Sequence, residues 1–371
     1  MIIGVPKEIK SEEYRVGLTP YNAGELVRKG HQVLVEKSAG EAIGFTDTLY
    51  IEQGVDIINS AADIFAQAEM IIKVKEPQPS EYQYLQKDQI LFTYLHLAPD
   101  PQQASALLES GCIAIAYETV TGDRGGLPLL APMSQVAGRL SIQAGANALQ
   151  KNHGGAGVLL GGVPGVCPGK VVVIGGGVVG TNAIRMAIGK ECEVTVLEKS
   201  LYRLQELDLQ FGGLLNTLYA SKANIQEHVA NADLVIGAVL IPGGSAPKIV
   251  SEELMSSMRP GSVLVDVAID QGGCFATSKP TTHAEPTYVI NGVVHYCVAN
   301  MPGAVPRTST LALNNATIPF ILKLADKGLK RALQEDKHLL NGLNIYKGEV
   351  TYKEVAEVLN LKWKNPLDVI H

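Results

Sequence analysis

The 371-residue chain is 46% hydrophobic and 18% charged, enough apolar material for two domains of ordinary size with sizeable cores. A formal net charge of −6 argues against nucleic acid as the main partner, and no run of about 20 apolar residues predicts a membrane span. Met1–Glu8 has neither the basic region nor the long apolar region of a signal peptide. The five scattered cysteines, Cys112, Cys167, Cys192, Cys274 and Cys297, read as mostly buried free thiols in a reducing cytoplasm. No Cys/His cluster has zinc spacing, so no metal site is expected.

In chain order, Met1–Val5 reads as a strand, and Thr19–Lys29 as a helix with Thr19 as N-cap and Pro20 at its first position. His31–Glu36 is a strand and Ala61–Ala68 a helix. Met70–Val74, Ile90–Leu95 and Cys112–Tyr117 are further strands, and Pro101–Ser110 is a helix stopped by Gly111. This alternation predicts an α/β domain with a parallel sheet. Ala131–Lys151 reads as one long helix, followed by a loop from Asn152 to Gly169 with seven glycines and two prolines.

Then comes the most informative segment. The β-branched run from Val171 to Ile174 leads straight into Gly-x-Gly-x-x-Gly, formed by Gly175, Gly177 and Gly180. Thr181–Ile188 follows as a helix, and the strand Cys192–Leu197 ends at Glu198, 18 residues after Gly180. A strand, a glycine turn, a helix and a spaced acid together form the dinucleotide-binding fingerprint. The glycines let the backbone approach a pyrophosphate, and the helix N-terminus offers it free N–H groups. Glu198 can accept from both ribose hydroxyls and would repel a 2′-phosphate, which favours NAD over NADP. Val263–Ala268 and His295–Val298 are the last predicted strands, Thr308–Lys327 is a second long helix, and the tail from Gly328 to His371 reads as helical.

The expected fold is therefore two Rossmann-like α/β domains with parallel sheets. The NAD domain, residues 131–306, is inserted in a discontinuous substrate domain, 1–130 and 307–371, and two long helices join them. Chemistry is then sought among polar residues at strand ends. Arg15, Lys75 and His96 all follow predicted parallel strands on one rim, although singly each fits a solvated arginine, an exposed strand-end lysine and a structural histidine. Lys73 shares a strand face with Lys75 and is less well placed. Asp270 lies at a rim or caps a turn, while Asp266, inside an apolar run, reads as a hydrogen-bonded structural acid. Ser134 either bonds a phosphate or caps its own helix, and Asn300 to Gly303 is either a nicotinamide contact or a Pro-Gly turn.

Longer stretches then become specific. Gly4–Glu8, Glu13–Pro20, Lys73–Pro77, Tyr94–Ala98, Pro132–Arg139 and Val298–Pro306 resemble segments of the NAD-dependent L-alanine dehydrogenase family, and the resemblance spans essentially the whole chain. It implies reversible oxidative deamination of L-alanine to pyruvate and ammonia in a cytoplasmic homohexamer, with no nucleic-acid or membrane partner. Arg15 and Lys75 would hold the substrate carboxylate and carbonyl, His96 would be the general acid/base, and Asp270 would orient the reacting nitrogen or water. The NAD site would be lined by Ser134, Gly175, Gly177, Val178, Gly180, Glu198, Arg203, Val239, Ile269, Asp270, Val298, Asn300 and Met301. The chain departs from the pattern at Glu198, commonly Asp, and at Ala220, commonly a small hydroxyl residue. Two alternatives remain: a soluble NAD(H)-binding component of a proton-translocating transhydrogenase, and a non-catalytic NAD-binding regulator. The four residues Arg15, Lys75, His96 and Asp270 favour the dehydrogenase over both.

Overall fold

The computed structural model describes residues 1–239 and 246–370. The chain divides into two compact units, Met1–Met133 with Val305–His371, and Ser134–Ala304. In chain order the strands are β1 (Ile2–Val5), β2 (Gln32–Glu36), β3 (Asp56–Ile58), β4 (Met70–Ile72), β5 (Ile90–Thr93), β6 (Ile113–Ala116), β7 (Lys170–Ile174) and β8 (Glu193–Glu198). They continue with β9 (Asn216–Tyr219), β10 (Leu234–Gly237), β11 (Val263–Asp266), β12 (Thr287–Ile290), β13 (Val293–Tyr296), β14 (Leu343–Tyr346) and β15 (Glu349–Val350).

The first unit is built on an eight-stranded sheet of order β15-β14-β6-β5-β4-β1-β2-β3. Its six N-terminal strands are all parallel. β4, β5 and β6 are buried along their whole length, as strands covered on both faces must be. The expected helical tail is corrected here. Leu343–Tyr346 pairs antiparallel with β6 and turns back into β15. The turn residues Lys347 and Gly348 carry φ of 51° and 88°, the left-handed pair that a tight hairpin requires. Four buried cysteines and the exposed Cys167 are all free thiols.

The second unit carries a seven-stranded sheet of order β12-β13-β11-β10-β7-β8-β9, parallel except for the edge strand β12. Besides the hairpin strands, β3, β9, β10 and β12 are strands that went unread in the sequence. Both sheets are doubly wound, with the order reversing between β1 and β4 in the first unit and between β7 and β10 in the second. In such sheets ligands bind beyond the carboxyl ends of the strands at that reversal. The loops following β1, β4 and β7 are therefore where the two units should recognise small molecules. The long helices Ala131–Ala148 and Pro306–Lys327 stand at the two crossings of the chain between units. The first is shorter than expected, ending in a 3-10 turn over Lys151–His153.

Candidate active and nucleotide-binding site

In the second unit the glycine run sits at the reversal point. Gly175 has a φ of +100°, and a Cβ there would stand 2.7 Å from the carbonyl of Ala238, the residue just past neighbouring β10. A Cβ on Gly180 would lie 1.9 Å from the Gly175 carbonyl, so only glycine lets the helix pack onto the turn. The helix begins at Val178, earlier than expected, with Gly177 as its N-cap and no side chain covering its first N–H groups. Gly177 and Val178 are exposed there.

Glu198 ends β8 alongside this turn. Its Oε2 accepts from the Gly176 N–H at 2.8 Å, and its Oε1 from Lys199 and Ser200 N–H at 2.7 and 2.9 Å. Arg203 donates through Nε to the Gly176 carbonyl at 2.7 Å and through Nη2 to the Thr181 hydroxyl at 2.7 Å. The turn is thus held from both sides, with the Glu198 carboxylate fixed against it. These residues fit a dinucleotide, because the Cβ-free cradle and the aligned acid occupy one place.

The other residues expected to line the nucleotide site are placed as follows. Val239 follows β10 and is half-buried. Ile269 and Asp270 share a 3-10 turn beyond β11, the first buried and the second exposed. Val298 is fully buried beyond β13, and Met301 is 3% exposed. Asn300 is half-buried with a φ of +61°, a conformation non-glycine residues adopt at a cost. Ser134 is half-exposed in the first turn of its long helix. β11 stops at Asp266, so Asp270 lies four residues past the strand, not at its tip. Asp266 accepts from the N–H groups of Ala268, Cys274 and Phe275 and from the Ser278 hydroxyl. It is the structural acid the sequence suggested, and it closes the loop that carries Asp270.

In the first unit Arg15, Lys75 and His96 follow β1, β4 and β5, three adjacent strands around the reversal. Arg15 is 2% exposed and pairs with the equally buried Glu13, Nε to Oε1 at 2.6 Å and Nη2 to Oε2 at 2.5 Å. Burial alone would weaken its hold on its proton, but the Glu13 carboxylate outweighs that and pushes the guanidinium above its ordinary value. Its Nη1 points at the Met133 sulfur, 3.1 Å away.

The two lysines separate sharply. β4 ends at Ile72, so both lie just past it. Lys73 is wholly buried between Glu8 and Glu81, at 3.1 and 3.0 Å. Burial lowers its affinity for its proton, and the two carboxylates more than reverse that. Lys75 is half-buried, its own N–H given to Glu8 at 3.2 Å and its carbonyl taken by the Thr93 hydroxyl at 2.9 Å. His96 lies three residues beyond β5, not at its end, with a φ of +49°. Its ring is half-exposed and stacks on Tyr94 at a centroid distance of 5.9 Å and 6° between planes. The Tyr94 hydroxyl donates to the Leu129 carbonyl at 2.5 Å, so the stacking partner is itself fixed. Glu8, Glu13 and Glu118, which touch this rim, carry no sequence signal. Their partners are main-chain N–H groups and a buried arginine that only the fold brings near.

A doubly wound α/β sheet with a glycine-cradled nucleotide turn in one unit, and a second such sheet with cationic groups and a histidine near its reversal in the other, define a two-domain dinucleotide-binding protein of the oxidoreductase type. The chain belongs to the alanine dehydrogenase/PNT family, whose N-terminal domain matches residues 4–137 and whose C-terminal domain matches residues 141–353. It is 57% identical over 370 residues to the alanine dehydrogenase of Halomonas elongata, covering 100% of both chains. It is 52% identical to that of Mycolicibacterium smegmatis, covering 97% of each. A solved L-alanine dehydrogenase superposes with a TM-score of 0.94 at 52% identity, over 97% of this chain and 99% of that one. A transhydrogenase from Sinorhizobium meliloti shares the fold, with a TM-score of 0.82 at 24% identity over 95% of this chain and 100% of that one.

Proposed function

We propose that the chain is an NAD-dependent L-alanine dehydrogenase, converting L-alanine reversibly to pyruvate and ammonia. The observation that carries this is the full-length identity to alanine dehydrogenases, coupled with an Arg, a Lys and a His around the sheet reversal of one unit. The same identity disfavours the transhydrogenase and regulator readings. The first unit holds the substrate, and the second holds the nucleotide through Gly175, Gly177, Val178, Gly180, Glu198 and Arg203. Ser134, Val239, Ile269, Val298, Asn300 and Met301 complete that nucleotide site.

NAD, when bound, supplies the hydride acceptor. The α-ammonium of L-alanine must give up a proton before oxidation, and the resulting iminium takes up water before ammonia leaves. His96 moves these protons, since an imidazole can both accept and donate one. Arg15 carries a planar fork suited to a carboxylate, and its pairing with Glu13 fixes the direction of the fork. Lys75 stabilises negative charge developing on the carbonyl oxygen. Asp270, on an exposed turn, orients the nitrogen and the incoming water, so that alignment supplies much of the rate gain.

The assembly is a homohexamer in the cytoplasm. Family resemblance supports the first statement and four buried free thiols the second. No helix among the described residues is long and apolar enough to cross a membrane. Light scattering should give the mass of six 39.5-kDa chains. For the reaction, NADH absorbance is followed with L-alanine or D-alanine, each with NAD or NADP. Signal from L-alanine with NAD alone is expected. No signal, with NADH binding intact, would return the chain to the regulator reading.

A further inference from the structure

We propose that Glu118 is a positioning residue for His96, its carboxylate clamping the peptide N–H groups that fix the imidazole at the rim. The proposal rests on the reading of His96 as the acid/base. β5 ends at Thr93; the Tyr94 N–H still reaches the Val74 carbonyl at 3.3 Å, and the next two N–H groups, of Leu95 and His96, are taken by a side chain instead. Glu118 stands in the short turn Tyr117–Thr119 directly after β6, the strand next to β5. It accepts from the His96 N–H at 2.6 Å and from the Leu95 N–H at 3.2 Å, the latter through both oxygens.

Three features make this more than strand-end tidying. His96 has a φ of +49°, a conformation that a residue with a Cβ keeps only when its surroundings impose it. The short charge-assisted bond to its own N–H is such an imposition. Second, Glu118 Oε1 lies 3.8 Å from His96 Nδ1, too far for a hydrogen bond, so the carboxylate holds the backbone and leaves the ring to react. The ring's orientation is then set by stacking on Tyr94. Third, the device recurs one strand pair away. Glu8, after β1, accepts from the Val74 and Lys75 N–H groups at 2.6 and 3.2 Å, past the end of adjoining β4. Both groups assigned to the substrate's reacting centre on this rim are thus hung from a carboxylate on a neighbouring loop. Glu118 is 14% exposed, and nothing in its position requires contact with substrate.

The test compares Glu118→Ala and Glu118→Gln, the second keeping one acceptor oxygen for the peptide. Glu118→Ala should lower kcat for L-alanine about 100-fold, the scale of a misplacement of roughly 1 Å at a reacting group. KM for L-alanine and the NADH dissociation constant should stay within about threefold of wild type, and Glu118→Gln, which keeps an acceptor oxygen but loses the charge, should lie about tenfold below wild-type kcat. Single turnovers at enzyme excess then place Glu118→Gln in a His96→Gln background. A residue acting through His96 adds less than about twofold there. Wild-type kcat in Glu118→Ala would overturn the proposal, and so would a full, undiminished penalty in the double variant. Should Glu118→Ala not fold, Glu118→Gln carries the same comparison, and full activity in it with His96→Gln inactive would also overturn the proposal. Wild-type turnover in His96→Gln alone would instead sink the assignment of His96 itself.

Discussion

Lys73 and Lys75 are two residues apart past the end of one strand, and the structure buries the first in an ion-pair cluster while leaving the second half-buried. Replacing Lys73 by Met removes an ammonium lying 3.0 Å from Glu81 and 3.1 Å from Glu8, all three wholly or nearly buried. At an effective dielectric of about 20, each pair is worth roughly 5 kcal/mol of gross attraction, most of it offset by desolvation. Breaking such a pair strands buried carboxylates and costs about 3–5 kcal/mol. At about 2 °C per kcal/mol for a chain this long, Tm should fall by roughly 6–10 °C. The pH dependence adds a sign. Burial already raises the Glu8 pKa, with Lys73 opposing it, so the variant raises it further. A carboxyl raised in the folded state lends stability below its unfolded value and loses it as pH rises through the folded one. The deficit should therefore be largest at pH 8 and shrink toward pH 5, read by scanning calorimetry at both. Lys75→Ala, by contrast, should leave Tm within about 2 °C and cut turnover at least 100-fold. An unchanged Tm for Lys73→Met at pH 8, or a deficit that widens on acidification, would refute this reasoning.

Glu13→Gln should loosen the Arg15 fork, costing about 3–5 kcal/mol for the uncompensated buried cation and raising KM for L-alanine while NADH binding holds; titration calorimetry with NADH separates the two. Gly180→Ala places a methyl group 1.9 Å from the Gly175 carbonyl, so NADH affinity should drop at least tenfold and the second unit should lose about 1–3 kcal/mol or more. Glu198→Ser should narrow the preference for NAD over NADP, because the carboxylate beside Gly176 no longer repels a 2′-phosphate; the ratio of kcat/KM for the two cofactors reads it.

The strands that were legible in the sequence are those whose burial on both faces writes a continuous apolar run, such as β5 and β7. β3, β9 and β12 are short and half-exposed, and leave no such run. β10 is fully buried, but in the sequence its apolar run continues to Ile241 with nothing to bound it at the strand's end, so it did not stand out as a strand. The β14–β15 hairpin was hidden because its turn uses Lys347 in a left-handed conformation, where an asparagine or aspartate would have signalled it. At the proposed substrate site, Arg15, Lys75 and His96 stood out because charged or titratable residues followed apolar strands. Glu8, Glu13 and Glu118 did not, because their roles consist of bonds to main-chain N–H groups and to a guanidinium that adjacent strands bring within reach.

The most direct test of the account is His96→Gln, assayed for NADH formation from L-alanine and, in the same preparation, for NADH binding by fluorescence titration. Turnover lowered at least 100-fold with NADH affinity unchanged is predicted. Turnover within about tenfold of wild type would contradict the placement of proton transfer on the first unit's rim.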